Sequence, residues 1–426
     1  MSFFAAAMLS PTRRAASKNI RQFLRGSVGA GVAVLARAGG ALVLNKLFAT
    51  WAPAGGLTRL AQFQNLMALL TTLPNDGTHV GLVKYLAPLR PGRPRYRLWL
   101  GAALALNSAA LVVGMSWLAI SGALSWGHTL LFGLGIGLVT GQALLGAALL
   151  AAGRLRAYVS LSVMLAGLGP GAAAAALAGG WPLDEVLLAY LLAQGLTLLP
   201  ALGLAARAGL LRHLRPLGRM SPAAVRALGR FLLMAVSTLL FGKAVDYALR
   251  AHLLNTYGPV PTDLWQAVAK LSDNYTMVFG AVMSSVFYPR LAALTGQGDV
   301  AWRYVRSIAG LLAGALAAGL GLIFLGRDWL LPLLFAPRLL AARELLAPQL
   351  LGDWAKFLSW IFLYQLMAQA RTGRYVAVQA ASAVVFVALL VALLPAHGLA
   401  GALWANAARY GLLLLGCGIY FWQQRR

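Results

Sequence analysis

One apolar stretch of this sequence, residues 264–292, is long enough to cross a bilayer yet carries Gln266, Lys270, Asp273 and Asn274 in its first half. About 20 helical residues span the ~30 Å of hydrocarbon in a membrane, so the length fits a crossing. An ionised side chain near the midplane costs on the order of 2.5–3.5 kcal/mol on insertion scales. A lipid-facing helix would not carry this set. The stretch therefore faces protein or a wet cavity, and it constrains everything that packs around it.

Of the 426 residues, 60% are hydrophobic and only 11% charged, where an ordinary soluble chain carries about 25%. The chain reads as an all-α polytopic membrane protein. Twelve apolar spans are expected at 24–48, 58–87, 98–121, 128–152, 157–179, 184–206, 228–250, 264–292, 304–326, 348–369, 375–394 and 399–422. The formal charge of +26 is unevenly placed. Both ends and the links near residues 90–97, 154–156 and 207–230 are rich in arginine. The opposite links hold only Arg59, Arg250, Arg327, Arg338 and Arg343. That asymmetry is the positive-inside pattern and puts both termini in the cytoplasm. The positive charge is thus a topology signal, with attraction to anionic membrane lipids, and not a nucleic-acid footprint. The N-terminal stretch lacks the short apolar core and cleavage site of a secretory signal. Cys417 is the single cysteine, which excludes an internal disulfide.

Domain organisation follows from the longest cytoplasmic link. Residues 1–22 form a basic arm at the membrane surface, 23–207 hold spans one to six, 208–227 form an arginine-rich linker, and 228–426 hold spans seven to twelve. Ser221-Pro222 in the linker is a helix start. The halves repeat weakly. Span two runs from Gln62 and Gln64 to Lys84-Tyr85, and span eight from Gln266 to Arg290, each after a Pro/Gly turn. Repeated halves with a site at their interface are common in secondary transporters. Pro74-Asn75-Asp76-Gly77 predicts a break or kink inside span two. Gly133, Gly137 and Gly141, and again Gly310 and Gly314, are spaced as helix-packing faces.

Seven basic residues lie within spans: Arg37, Lys46, Lys84, Lys243, Lys270, Lys356 and Arg409, against Asp76, Asp246, Asp273 and Asp353. All eleven in lipid would cost about 30 kcal/mol, beyond the stability of a domain. Helix spacing predicts the pairs Lys243/Asp246, Asp246/Arg250, Lys270/Asp273 and Asp353/Lys356. Pairing leaves a basic surplus, because Arg37, Lys46, Lys84 and Arg409 have no acidic neighbour at that spacing. A positive midplane cavity would attract an anion, and phosphate suits arginine and lysine. No phosphate-binding loop, metal-ligand spacing or catalytic constellation is present, so no cofactor or metal is expected. Driving force would come from an ion or substrate gradient, with Asp76, Asp273 and Asp353 as titrating candidates and Asp76, lacking a cationic neighbour, the first of them.

The chain resembles the Wzx-type oligosaccharide-lipid flippases of the multidrug/oligosaccharidyl-lipid/polysaccharide exporter superfamily. The likeness rests on Asn45-Lys46-Leu47, Gly81 with Lys84-Tyr85 and Ala87, Arg250, Trp265-Gln266, Ser272-Asp273 and Tyr275. Gln349-Leu350, Gly352-Asp353, Lys356 and Pro395-Ala396-His397-Gly398 complete it. The resemblance implies twelve transmembrane helices in two six-helix lobes around a central cavity open alternately to each side. The implied cargo is an undecaprenyl-diphosphate-linked oligosaccharide, moved to the periplasmic leaflet of a bacterial inner membrane. A polysaccharide polymerase and a chain-length regulator are the implied partners. Lys46, Lys84, Arg250, Lys270, Arg409 and Arg37 would then hold the diphosphate, while Asp76, Asp273, Asp353, Lys356 and Gln266 would be cavity or coupling groups. Lys243, Asp246, Lys270 and Pro74-Asn75-Asp76 depart from the family pattern. A small-molecule antiporter would favour acidic cavity residues, and a polysaccharide polymerase a large external loop. A peptidoglycan-precursor flippase would differ only in its sugar.

Overall fold

Apolar side chains all around most helices, and turns set by glycine, build a membrane-spanning bundle. The structure, a computed structural model, describes residues 11–86, 89, 94–122, 124–211, 221–283, 287–294, 298–369 and 371–423. Helix α1 is Pro11–Trp51, and α2 is Gly56–Thr72 continued through Leu73–His79 into Val80–Leu86. Then come α3 (Pro94–Ser121), α4 (Trp126–Ala151), α5 (Leu155–Ala178) and α6 (Leu183–Arg207). Helix α7 is Pro222–Tyr257, and α8 is Pro259–Val282, resuming over Tyr288–Ala293. Helix α9 is Gly298–Leu325; a short helix Arg327–Leu334 and a 3-10 segment Pro337–Leu345 lead to α10, Leu346–Ala368. The last helical run, Thr372–Gln423, breaks at Gly398, whose φ of 57° and ψ of −141° reverse the chain, giving α11 (372–397) and α12 (399–423).

Twelve spans result, where the apolar pattern puts them. Among the described residues, eight helices are long and apolar enough to cross a membrane by that test alone, the run from 373 to 420 counting once. The helices that fail it are α2, α8 and α10. Those three carry more than half of the buried polar side chains among the described residues.

Helices α1 to α6 pack among themselves, as do α7 to α12, and the two sets meet where α2 lies along α7 and where α8 lies against α1 and α2. A large apolar core runs from Leu44, Phe48 and Leu57 through Phe132 and Leu191 to Val268 and Leu339. A second joins Leu82, Leu86 and Tyr96 to Ala224 and Leu228 of α7.

Several expectations change. The Pro74-Asn75-Asp76-Gly77 stretch does not break α2. The chain stays helical through a wide π-type turn over Leu73–His79, the kind of local adjustment by which a helix accommodates proline. Gly77 and Gly81 there allow close approach to α7, since a Cβ would stand 3.2 Å from Leu232 or 2.8 Å from Leu228. The Asp76 side chain lies outside the described part of the structure. Gly133 does serve packing, as a Cβ would come within 2.5 Å of Met115. Gly310 and Gly314 face open space: among the described residues nothing lies within 4 Å of where a Cβ on either would stand. Ser221 and Pro222 start α7 as expected. The arm is helical from residue 11 and continuous with α1, while residues 1–10 and 212–220 lie outside the described residues.

Candidate functional site

The polar side of α8 follows the helical repeat. Asp263, Gln266, Lys270 and Asn274 recur every three or four residues and are all buried. Each meets a different neighbour. Asp263 reaches the other half of the chain, where its carboxylate accepts from Gly55 N at 2.8 Å, Thr58 N at 2.8 Å and Thr58 Oγ1 at 2.6 Å. Those donors begin α2, which has no side-chain cap of its own because Gly55 stands at its N-cap in a left-handed conformation. The acid therefore caps α2 from across the interface, where the helix dipole favours a negative charge. Two further bonds close the same end: Arg338 donates to Ala52 O at 3.0 Å and Lys46 Nζ to Pro332 O at 2.8 Å.

One turn further along α8, Gln266 Oε1 accepts from Arg250 Nε at 3.0 Å, and the guanidinium lies 5.9 Å from the Trp265 ring. Lys270 Nζ donates to Gln64 Oε1 of α2, joining the two helices that the weak repeat pairs. Asp273 is exposed.

The neighbouring face of α8 meets α10. Asp353 is fully buried, and its Oδ2 accepts from Ser272 Oγ at 2.6 Å, Gln349 Nε2 at 2.9 Å and the Tyr275 hydroxyl. Lys356 Nζ stands 3.2 Å from the other oxygen and donates to Thr276 Oγ1 at 2.9 Å. Phe357 and Trp360 rings cover this lysine at 5.3 and 5.7 Å.

Of the four pairs expected from spacing, only Asp353/Lys356 forms. Lys243 and Asp246 straddle the end of a π-type segment, Leu239–Ala244, whose wider turn alters the angle between them. Lys270 turns to Gln64 instead of Asp273, and Arg250 to Gln266 instead of Asp246. The remaining candidates spread out. Arg37 is exposed and donates to Tyr158 at 3.2 Å and Ser162 at 3.0 Å of α5. Exposed Lys84 lies 5.5 Å from the Phe231 ring. Arg409 is buried, donates to Ser382 Oγ at 2.7 Å, and borders a groove of about 490 Å³ between α10, α11 and α12.

Electrostatically, Lys243, Arg250 and Asp273 all act on Lys270, and Asp273 and Asp353 act on Lys356. Helices α7, α8 and α10 carry these four cations: Lys356 is paired with Asp353, and Lys243, Arg250 and Lys270 share Asp273 and, on α7, Asp246. Lys270 and Arg250 bond to amide oxygens, which orient a cation without neutralising it. A positive excess remains. Sequence reasoning missed Thr58, Gln64 and Asp263, whose partners lie more than 200 positions away. Polar residues in otherwise apolar α2 were the only available signal. Among the described residues no cluster of histidine, cysteine, aspartate and glutamate could hold a metal.

No family model matches the sequence. It is 28% identical over 427 aligned residues, covering 94% of this chain and 99% of the relative, to a protein named Lipid III flippase in Escherichia coli (strain K12). The Lipid III flippase of Shigella flexneri matches equally. Among solved structures, an inward-facing multidrug resistance transporter of the MATE family has a TM-score of 0.70 at 12% identity, covering 93% of this chain and 94% of that one. The lipid II flippase MurJ in an inward closed conformation gives 0.68 at 10%, over 93% and 87%. A bent-form MATE transporter of Vibrio cholerae gives 0.66 at 12%, over 96% and 97%. The twelve-helix transporter fold is therefore that of this multi-pass membrane protein, and the sequence resemblance to oligosaccharide-lipid flippases is borne out by its curated relatives.

Proposed function

We propose that this chain is a flippase for a prenyl-diphosphate-linked oligosaccharide of the lipid III kind for which its relatives are named. It works by alternating access between lobes formed by residues 23–207 and 228–426, joined by 208–227. The arginine-rich links face the cytoplasm of a bacterial inner membrane, both termini lie on that side, and the Asp263 seam is periplasmic. Cargo moves outward for cell-surface polysaccharide assembly, where a polymerase and a chain-length regulator would take it up.

The observation that carries this reading is the positive excess at Lys243, Arg250 and Lys270, the last two buried and bonded to neutral amide oxygens. A diphosphate supplies the charge that the protein's own acids do not, and basic residues bind it through charge-assisted hydrogen bonds. Lys270 and Arg250 are the first contacts. Lys46, Lys84, Arg37 and Arg409 serve earlier or later positions along the path. Asp273, next to both lysines, is the coupling acid, with Asp76 a second. Asp353 orients Lys356, and Gln266 orients Arg250.

Reconstitution tests it. Purified protein in vesicles should transfer a fluorescent undecaprenyl-diphosphate oligosaccharide between leaflets, and a proton gradient should change the rate if Asp273 couples. Transfer no faster than in protein-free vesicles would overturn the proposal.

A further inference from the structure

A cavity of about 130 Å³ lies between α1, α2, α5 and α6, away from the cation cluster but joined to it through one residue. Gln64 is that residue: its Oε1 accepts from Lys270, and its Nε2 donates to Tyr190 Oη at 3.3 Å. Gln194 is one helical turn from Tyr190 on α6, and both line the cavity. Arg37 stands at its edge.

The opposite wall contributes an acceptor. Pro170 lies inside α5 and has no N–H, so the carbonyl four residues back, Ala166 O, loses its helical donor. That oxygen points at α1, where a Cβ on Gly40 would stand 2.4 Å from it. Gly40 and Ala166 both line the cavity. Two amides, a phenol and a freed carbonyl thus surround the space, and Leu44 and Leu165 make its walls apolar.

This chemistry narrows the ligand. Among the described residues no carboxylate lines the cavity, so it offers an ammonium group no counter-charge, and Arg37 at its edge disfavours one. At roughly 30 Å³ per water it has room for about four, too little for a whole oligosaccharide. Amide donors, a carbonyl acceptor and an apolar wall together match a group with one N–H, one C=O and one methyl.

We propose that this cavity receives the acetamido arm of a cargo sugar while the diphosphate sits on the Lys270 side of Gln64, an assignment that rests on the flippase reading above. Gln194 and Tyr190 are then specificity determinants. Gln64 couples the two subsites by holding Lys270 with one end of its amide and Tyr190 with the other.

The test uses the full chain in vesicles and two fluorescent prenyl diphosphates, one carrying N-acetylglucosamine and one carrying glucose. The wild-type protein should transfer the N-acetyl probe at least about tenfold faster, since a site built to hydrogen-bond a group discriminates against its absence. Gln194→Leu should bring the ratio close to one by slowing transfer of the N-acetyl probe. Tyr190→Phe, which removes a single oxygen, should lower the ratio in the same direction and carries the test if Gln194→Leu does not fold. Equal wild-type rates for both probes, or a preference that survives both substitutions, would overturn the assignment while leaving the flippase reading intact. Transfer of neither probe by wild-type protein would overturn both.

Discussion

Two buried carboxylates touch α8 or project from it, and the protein treats them differently. Asp263 reaches across the interface between the two halves and is held by two backbone N–H groups and a hydroxyl, with no cation. Asp353 stays within the second half and is held by Ser272, Tyr275, Gln349 and the ammonium of Lys356. A bond between neutral donors and a carboxylate can be exchanged for water at a net cost near 1.5–3 kcal/mol. Separating a buried ion pair costs far more, because both charges must be rehydrated or left alone. In the proposed alternating-access cycle the exchangeable contact lies where the two halves would part and the permanent one where they would not. Lys270 and Lys46 obey the same division, since each crosses between halves to a neutral oxygen.

The largest break of this contrast is Asp353→Ala, which leaves Lys356 among aromatic rings without its counter-charge. It should cost about 3–5 kcal/mol, seen as a fall of the melting temperature in detergent and poor recovery of folded protein. Asp263→Ala should cost less, about 1–3 kcal/mol, because only orphaned donors remain. Its effect should be local. In a Cys417→Ser background, a cysteine in place of buried Ala52 should react faster with an impermeant maleimide once Asp263 is removed. An unchanged labelling rate would show that the seam does not depend on this acid.

Smaller changes sharpen the comparison within one half. Gly40→Ala forces a Cβ against Ala166 O in the contact of α1 with α5 and should destabilise by about 1–3 kcal/mol in the same melting assay. Gly310→Ala, whose Cβ would meet nothing within 4 Å among the described residues, should stay within about 0.5 kcal/mol of wild type. A large loss at Gly310 would mean that α9 has a partner in the membrane.

The sequence patterns that proved most legible were those that depend on nearest neighbours. Apolar length placed the twelve spans, Ser221-Pro222 started α7, and the spacing of Asp353 and Lys356 gave a true pair. Polar content singled out α8 as a helix that cannot face lipid. Partners across the fold were not legible. Nothing in the local pattern around Lys270 distinguishes Asp273, three residues away, from Gln64 on another helix. The lysine side chain reaches either, and helix packing decides. Asp263 falls one residue before the expected span, and nothing local marks its role, since its three donors belong to a turn more than 200 residues earlier. Lys243 and Asp246 failed for a different reason: spacing rules assume 3.6 residues per turn, and the π-type segment over Leu239–Ala244 does not keep to it.

The central claim is that the uncompensated cations on α7 and α8 hold an anionic lipid headgroup. It is tested most directly by titrating a short-chain, water-soluble prenyl diphosphate against detergent-purified wild-type protein and the Lys243→Gln/Lys270→Gln double variant. Wild-type affinity should fall as salt is raised, and the double variant, melting at the wild-type temperature, should bind at least about tenfold more weakly, the ~1.4 kcal/mol expected for one or two charge-assisted hydrogen bonds. Equal affinity in a well-folded double variant would contradict the account.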